Sequence, residues 1–170
     1  MKLPYSFRDN QEETVVSIKN ALAKRNHIVL ESPTGSGKTF TSLAAALPFA
    51  QKNDMKIVYC VRTNSQQKQV IHELQQFKKS GNQIKAIAVQ GREALCPQQK
   101  YDEELKKSNW SEKSKFCKTL KMQSKMGESG CQFYRQLMRG GKTLTKKWSS
   151  EILTAQEFAK QAEEANDVAE

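Results

Sequence analysis

The chain has 170 residues, which allows one domain or two small ones. It carries 28 Lys and Arg against 18 Asp and Glu, a net charge of +10, and 37% hydrophobic residues, below the roughly 45–50% usual in globular domains. The longest apolar stretch, near Leu43–Ala50, is far shorter than the ~18 residues that span a bilayer, and no apolar leader precedes it. We therefore expect neither a membrane protein, nor a secreted disulfide scaffold, nor a fully disordered chain.

The first 89 residues have the pattern of an α/β fold, in which strands alternate with helices. The periodicity predicts strands at His27–Leu30, Ile57–Val61 and Ile84–Val89. It predicts helices at Arg8–Arg25, before the first strand, and at Thr39–Ala50, between the first and the second. A third helix, which Asn64 or Ser65 can cap, follows the second strand and stops near Gly81. This order implies a parallel sheet with right-handed crossovers. Cys60 lies inside a predicted strand and is expected to be a buried core thiol.

Residues 90–151 differ in composition from the rest of the chain. They carry 14 basic and 7 acidic side chains, a net charge of +7, and contain no Ile or Val. A segment with so few aliphatic residues cannot bury enough apolar area by itself to offset the entropy lost when it becomes ordered. It needs a cross-link, such as a bound metal, or packing against the rest of the protein. It contains Cys96, Cys117 and Cys131, so a small module around a metal and a solvated charged linker both remain open. Beyond it, Ser150–Ala169 is predicted to be helical, with Ile152, Leu153, Phe158 and Ala162 on one side.

A phosphate-binding loop is the strongest local signal in the chain. Residues 31–39 match the pattern G-x-x-x-x-G-K-[ST], except that Ser32 takes the place of the first glycine. Glycines let backbone N–H groups turn onto phosphate oxygens, Lys38 can reach the β- and γ-phosphates, and Thr39 can bind Mg²⁺. The alternative is a glycine turn that only caps a helix. The loop predicts ATP and Mg²⁺ binding by Ser32, Pro33, Thr34, Gly35, Ser36, Gly37, Lys38 and Thr39, with Lys38 and Thr39 as the catalytic pair.

Two further segments resemble helicase motifs. Tyr5–Gln11 resembles the Q-motif in its Arg-x-x-Gln form, which implies that Arg8 and Gln11 take part in nucleotide binding and that Gln11 selects adenine; alternatively, Gln11 is a surface residue at a helix start. Tyr59–Gln66 resembles the motif Tyr-Cys-x-Arg-Thr-x-x-Gln of the XPD branch of superfamily 2, although Asn64 replaces the usual His. The segment from Gly91 to Pro97 resembles the entry to that family's iron–sulfur insertion, and the segment from Cys131 to Tyr134 resembles its third-cysteine segment.

With these motifs in order, the chain resembles the XPD-like superfamily 2 DNA helicases with an iron–sulfur cluster domain, the DinG, FancJ and XPD group. The resemblance implies that residues 1–90 are the N-terminal part of a RecA-like P-loop helicase domain with a parallel but incomplete sheet. It implies that residues 91–170 are a truncated, mostly helical iron–sulfur cluster insertion. It also implies DNA contacts from Arg62, Thr63, Gln66 and Arg92. The expected partners are single-stranded DNA, fork or bubble DNA and DNA-repair proteins, in the cytoplasm at the nucleoid or in a eukaryotic nucleus.

Cysteine spacing alone leaves the metal open. The three cysteines of the basic segment are separated by 20 and 13 residues, without the tight pairs of zinc sites and without a ferredoxin pattern. The resemblance implies that Cys96, Cys117 and Cys131 hold a [4Fe–4S] cluster, with the fourth ligand beyond Glu170.

The function expected from the resemblance is that of an ATP-dependent 5′→3′ DNA helicase, of the nucleotide excision repair type. The sequence has no Asp-Glu-x-His motif for holding Mg²⁺, so we expect an N-terminal fragment that is inactive by itself. The lysines and aromatics of residues 90–151 fit a single-stranded DNA surface, or else a solvated face. A metal-stabilised nucleic-acid-binding module with a vestigial nucleotide site is the alternative; a P-loop kinase leaves the cysteines unexplained.

Overall fold

A computed structural model describes residues 1–91, 95–100, 102–138 and 151–167. The helices are α1 Gln11–Ala23, α2 Lys38–Lys52, α3 Asn64–Lys79, α4 Glu103–Lys107, α5 Trp110–Lys125, α6 Gln132–Met138 and α7 Ala155–Asp167; the strands are β1 Ala86–Ile87 and β2 Ile152–Leu153, and Pro97–Lys100 forms a 3₁₀ turn. The chain divides into two compact units, one of Met1–Ala88 with Ser150–Thr154 and one of Val89–Ser149 with Ala155–Glu170. The assignment of 1–90 and 91–170 to separate functional domains stays a prediction.

Helix α2 is the centre of the first unit and packs against α1 and α3. Its Ala- and Leu-rich sequence favours a helix and presents a wide apolar face. Phe40 of α2 stacks on the fully buried Phe77 of α3, with ring centroids 5.8 Å apart. The three predicted helices of this unit are therefore confirmed, and their packing forms one core. Its main buried side chains are Val15, Ile18, Phe40, Leu43, Leu47, Val70, Ile71, Leu74 and Phe77.

Two of the predicted strands are not formed. The segments at His27–Leu30 and Ile57–Val61 pair with no strand in the described part of the chain. Val29 is 97% exposed and Val58 86% exposed, and Cys60 is exposed, so the prediction of a buried Cys60 is wrong. A continuous apolar run becomes a buried strand only when neighbouring strands and covering helices remove both of its faces from water.

The sheet that is described is a parallel pair made by residues distant in sequence. Ala86 and Ile87 of β1 align with Ile152 and Leu153 of β2, and Ala88 N donates to Leu153 O at 2.9 Å. The predicted strand at Ile84–Val89 is thus present but shorter. The prediction of a helix over Ser150–Ala169 is wrong at its start, because Ile152 and Leu153 are buried in β2 and α7 begins at Ala155.

The second unit has little core among its described residues. Helix α5 runs for 16 residues without a buried side chain. A capping box fixes its start: the Asn109 side chain accepts from Glu112 N, and the Glu112 side chain accepts from Asn109 N. Leu105 and Ala155 are its buried hydrophobic residues in the part of the chain described. None of the described helices is long and apolar enough to cross a membrane.

Candidate functional site

Backbone carbonyls of the phosphate loop accept hydrogen bonds from the ammonium group of Lys38. Gly35 and Gly37 have φ values of +83° and +80°, which is the left-handed region that suits glycine, and Gly37 directly precedes α2. Lys38 Nζ donates to Ser32 O at 2.8 Å and to Pro33 O at 2.6 Å. The loop therefore holds an ammonium group beside the unpaired N–H groups at the start of α2, the arrangement that binds anions.

Gln11 joins the N-terminal segment to this loop. It is the first residue of α1 and is only 6% exposed, so the alternative that it is a surface residue is wrong. Its Oε1 accepts from Arg8 N at 3.0 Å, and its Nε2 donates to Ser36 O at 2.8 Å. Both ends of the amide are thus engaged by main chain. Adenine selection by Gln11 stays a prediction.

Gly37 is required for this contact as well as for the turn. A Cβ atom at Gly37 would lie 2.5 Å from Gln11 Nε2, whereas a Cβ atom at Gly35 would meet nothing within 4 Å. The two glycines therefore share a backbone conformation but differ in their surroundings.

The loop lies beside a cavity of about 650 Å³, within the size range of ligand pockets. Its walls include Tyr5, Arg8 and Gln11 from the N-terminal segment and Lys38 and Thr39 from the loop, with one face of α3. We call it the phosphate-loop cavity. A smaller cavity of about 200 Å³, between the N-terminal segment, α1 and α2, has no loop residue in its walls. Of the predicted nucleotide-binding residues, seven line this cavity and three do not. Those that line it are Arg8, Gln11, Thr34, Gly35, Gly37, Lys38 and Thr39; those that do not are Ser32, Pro33 and Ser36.

Three residues of α3 face this cavity: Gln66, Gln69 and Glu73. Sequence reasoning missed Gln69 and Glu73. Gln69 and Glu73 lie three and seven residues after Gln66, and four residues apart, which places all three on one side of a helix. This spacing was the signal from which they could have been predicted to face the same site as Gln66.

The start of α3 carries the residues that resemble a DNA-binding motif. Thr63 is the N-cap: Gln66 N donates to Thr63 Oγ1 at 3.2 Å, while Gln66 Oε1 accepts from the backbone N–H groups of Arg62 and Thr63. The prediction that Asn64 or Ser65 caps this helix is therefore wrong, because the capping box selects the residue before them. Arg62, Thr63 and Gln66 are exposed. Their role in DNA binding stays a prediction.

Two of the three cysteines of the second unit lie close together along α5. Cys117 lies on this helix, and Cys131 N donates to Leu120 O at 3.3 Å, about one turn further on. Gly130 permits this approach, since a Cβ atom there would lie 2.3–2.5 Å from atoms of Ser124 and Leu120.

Cys96 is linked through Gln99 to Lys113, which lies near the start of α5. Its carbonyl accepts from Gln99 N at 3.2 Å, and the Gln99 side chain accepts from Lys113 Nζ at 2.8 Å. All three cysteines are partly exposed. Within the described ranges, however, no three Cys, His, Asp or Glu side chains form a group that could hold a metal. The thiols as placed do not fit a cluster.

Two lysines of α5, in the described basic segment, make contacts within their own unit. On α5, Lys113 donates to Gln99 and to the Lys106 carbonyl, and Lys121 lies 5.3 Å above the Tyr134 ring. The exposed lysines on this helix are Lys115, Lys118 and Lys125, and its exposed aromatic residues are Trp110, at 69%, and Phe116, at 37%. Arg92, predicted to contact DNA, lies outside the described residues.

We expect Gly37→Ala to destabilise the protein by about 1 kcal/mol more than Gly35→Ala. Both changes force alanine into a left-handed conformation, which costs about 1–2 kcal/mol, but Gly37→Ala also displaces Gln11 from its hydrogen bond, worth about 1 kcal/mol. Urea unfolding of both variants measures the difference. In a Gln11→Ala background the difference should vanish; if it persists, the Gln11 contact is not its cause.

Comparisons with known proteins agree with the motifs. The model of the DEAD_2 family matches residues 59–167, more than half of the chain. The chain is 33% identical over 104 residues to the general transcription and DNA repair factor IIH helicase subunit XPD of Arabidopsis thaliana, covering 55% of this chain and 14% of that protein. It is 30% identical over 129 residues to an Arabidopsis thaliana homolog of regulator of telomere elongation helicase 1, covering 56% and 12%.

A homolog of the same regulator from Caenorhabditis elegans is 26% identical over 166 residues, covering 80% of this chain and 16% of that protein. The chain thus spans between 12% and 16% of the length of these relatives. No solved structure is significantly similar. On the family match and the order of its motifs, the chain belongs to the DEAD_2 family of XPD-like superfamily 2 helicases.

Proposed function

We propose that this chain supplies the ATP-binding site of a DNA helicase that moves 5′→3′ along single-stranded DNA. The observation that carries the proposal is the phosphate-loop cavity, which Lys38, Thr39 and Gln11 line, and in which loop carbonyls accept from Lys38 Nζ and from Gln11 Nε2. The family match supports a motor rather than a nucleic-acid-binding module with a vestigial nucleotide site.

Each nucleotide-binding residue has a role that follows from its chemistry. Lys38 exchanges the carbonyls of Ser32 and Pro33 for phosphate oxygens, since a charged partner forms the stronger hydrogen bond. Thr39, in the first turn of α2, offers its hydroxyl to Mg²⁺, which would neutralise phosphate charge during transfer. Arg8, in the wall of the cavity, adds a positive charge near the nucleotide.

Hydrolysis needs acidic side chains that hold Mg²⁺ and orient water. The single Asp-Glu pair of the sequence is Asp102–Glu103, and Asp102 accepts from Leu105 N to cap α4 in the second unit. We therefore propose that the chain alone binds ATP without hydrolysing it.

The proposed DNA contacts are Arg62, Thr63 and Gln66 at the start of α3, Arg92, and the exposed face of α5. Exposed lysines can follow a phosphate backbone, and Trp110 offers a ring on which a base can stack. The same proposal includes fork or bubble DNA as substrate and work with DNA-repair proteins at the nucleoid or in a nucleus. It also includes nucleotide excision repair; the name of the XPD relative supports the link to DNA repair.

We further propose that Cys96, Cys117 and Cys131 ligate a [4Fe–4S] cluster together with a fourth thiolate. The support is that Cys117 lies on α5 and that Cys131 N donates to the Leu120 carbonyl of the same helix. Gln99, three residues after Cys96, accepts from Lys113 Nζ of that helix. The thiols would have to approach one another more closely than the structure places them.

Replacing Lys38 by alanine should weaken ATP binding about 10-fold or more, because a charge-assisted hydrogen bond contributes about 1.5–3 kcal/mol. Isothermal titration calorimetry with ATP and Mg²⁺ measures the affinity. Lys52→Ala, which removes an exposed lysine at the other end of α2, is the matched control and should bind ATP like the unmodified chain. Equal affinity of all three proteins would remove the basis for the nucleotide site.

Affinity for a single-stranded oligonucleotide should fall steeply with salt. Replacing Lys115, Lys118 and Lys125 together by glutamine should reduce the slope of log K against log salt by about 2, since each phosphate contact contributes about −0.7. Fluorescence anisotropy between about 50 and 200 mM salt measures the slope. A triple glutamine variant of Lys19, Lys24 and Lys52, matched in charge, should keep the original slope; an equal loss in both variants would point to net charge instead of α5.

Protein purified without oxygen should contain iron and sulfide and absorb visible light broadly. Cys117→Ser should lose the colour and the iron, because serine replaces a thiolate ligand, while Cys60→Ser should keep both since Cys60 lies in the other unit. A colourless, zinc-containing protein contradicts the cluster.

A further inference from the structure

Gln66 belongs both to the capping box of α3 and to the wall of the phosphate-loop cavity. Its Oε1 accepts from Arg62 N at 3.1 Å and from Thr63 N at 3.2 Å. Because both of these partners are N–H donors, the end of the side chain that meets them must be the amide oxygen. The backbone that precedes the helix therefore fixes the orientation of the Gln66 carboxamide.

The nitrogen end of the same carboxamide has no partner among the described residues. Gln66 Nε2 donates none of the hydrogen bonds that they form, and the residue is exposed, so a ligand can reach it. An amide nitrogen is a donor only, so its partner must be an acceptor. Gln66 lines the cavity together with Lys38 and Thr39, and the ligand proposed for that cavity is rich in acceptors, since it carries phosphate oxygens.

The charges along α3 favour phosphate at the Gln66 end of this wall. Gln66 is the third residue of α3, where the N–H groups of the helix start attract negative charge. Glu73 lies seven residues further on, about 10 Å along the helix axis, and its carboxylate repels phosphate. That carboxylate accepts from Gln69 Nε2 at 3.1 Å and from the Tyr5 hydroxyl, so the protein itself engages it. The α3 wall thus has a donor at one end and a negative charge at the other, which directs the phosphates of a nucleotide toward Gln66.

We propose that Gln66 is a nucleotide-binding residue: its Nε2 donates a hydrogen bond to a phosphate oxygen while its Oε1 stays in the capping box. The proposal rests on the proposed binding of ATP by the phosphate loop and adds to it a contact from the opposite element. A hydrogen bond to a charged oxygen is stronger than one between neutral groups, and here the donor is held in place before the nucleotide arrives. Because the same side chain supports the backbone of Arg62 and Thr63, the nucleotide and the proposed DNA contacts share one residue.

Two replacements of Gln66 separate its donor from its cap. Gln66→Glu keeps the capping box, since glutamate also forms it at this position, but has no N–H to donate. Gln66→Met is neutral and loses both functions. Isothermal titration calorimetry on the full chain should show that each variant binds ATP with Mg²⁺ about 10-fold more weakly than the unmodified chain. Ser65→Glu, which adds the same charge at the adjacent exposed position outside the cavity wall, should bind ATP like the unmodified chain.

Inorganic tripolyphosphate identifies the part of the nucleotide that Gln66 contacts. It carries phosphates without base or sugar, and its affinity is measured by competition with ATP. Gln66→Glu and Gln66→Met should weaken its binding by the same factor as that of ATP. A loss confined to ATP would place the contact on the base or the sugar and overturn the proposal, as would a failure of tripolyphosphate to compete at all.

The results for the variants also distinguish this proposal from the one on which it rests. If Gln66→Glu binds ATP like the unmodified chain while Gln66→Met does not, Gln66 acts only through the helix cap. If Ser65→Glu weakens binding as much as Gln66→Glu does, the added charge is the cause. Either result overturns the role of Gln66 and leaves the phosphate loop as the nucleotide site. If the unmodified chain does not bind ATP, or Lys38→Ala does not weaken binding, the nucleotide site itself fails and the role of Gln66 fails with it.

Discussion

The hydrogen bond from Gln11 to Ser36 connects the start of α1 with the phosphate loop, and both line the phosphate-loop cavity. Twenty-five residues separate these partners, and the bond ties the start of α1 to the loop before α2. It exists because Gly37 has no Cβ atom to occupy the space of the Gln11 amide. The same glycine adopts the left-handed conformation that ends the loop and begins α2. One missing methyl group thus allows both the turn that exposes N–H groups to phosphate and the contact that holds the N-terminal segment over them.

The elements that could be predicted are those whose signals are local. The three long helices of the first unit could be predicted because their apolar residues recur at helical spacing. Their packing around Phe40 and Phe77 follows from the apolar faces that this spacing creates. A strand, in contrast, forms only where another strand pairs with it, and that second strand can be distant in the sequence. The apolar run at Ile57–Val61 looks like a strand but stays exposed without pairing in the described chain, whereas the two-residue strand Ile152–Leu153 is specified by its alignment with Ala86 and Ile87.

The candidate site divides in the same way. Residues 31–39 could be identified because a phosphate loop is a contiguous motif whose chemistry lies in its own backbone. The burial of Gln11 and the position of Glu73 could not, since they result from α1 and α3 meeting the loop in three dimensions. The capping box of Thr63 and Gln66 shows a further limit: the residues of a motif that resembles a DNA contact also satisfy the orphan N–H groups of a helix, so their pattern has two physical causes.

The second unit presents a different balance of forces. Helix α5 buries no side chain, and the contacts described for it are local: its capping box, the Lys113–Gln99 hydrogen bond, the Lys121–Tyr134 contact and the close approach that Gly130 allows. Such local contacts each contribute about 1 kcal/mol, against an ordering cost of about 1–2 kcal/mol per residue, so they cannot hold a segment of this length by themselves. A cross-link among its cysteines would supply folding free energy directly, as structural metals do in small domains. The first effect of the proposed cluster would therefore be to stabilise the fold of this unit. DNA binding would depend on that effect, because the exposed lysines of α5 can bind one strand together only if the helix that carries them is held in place.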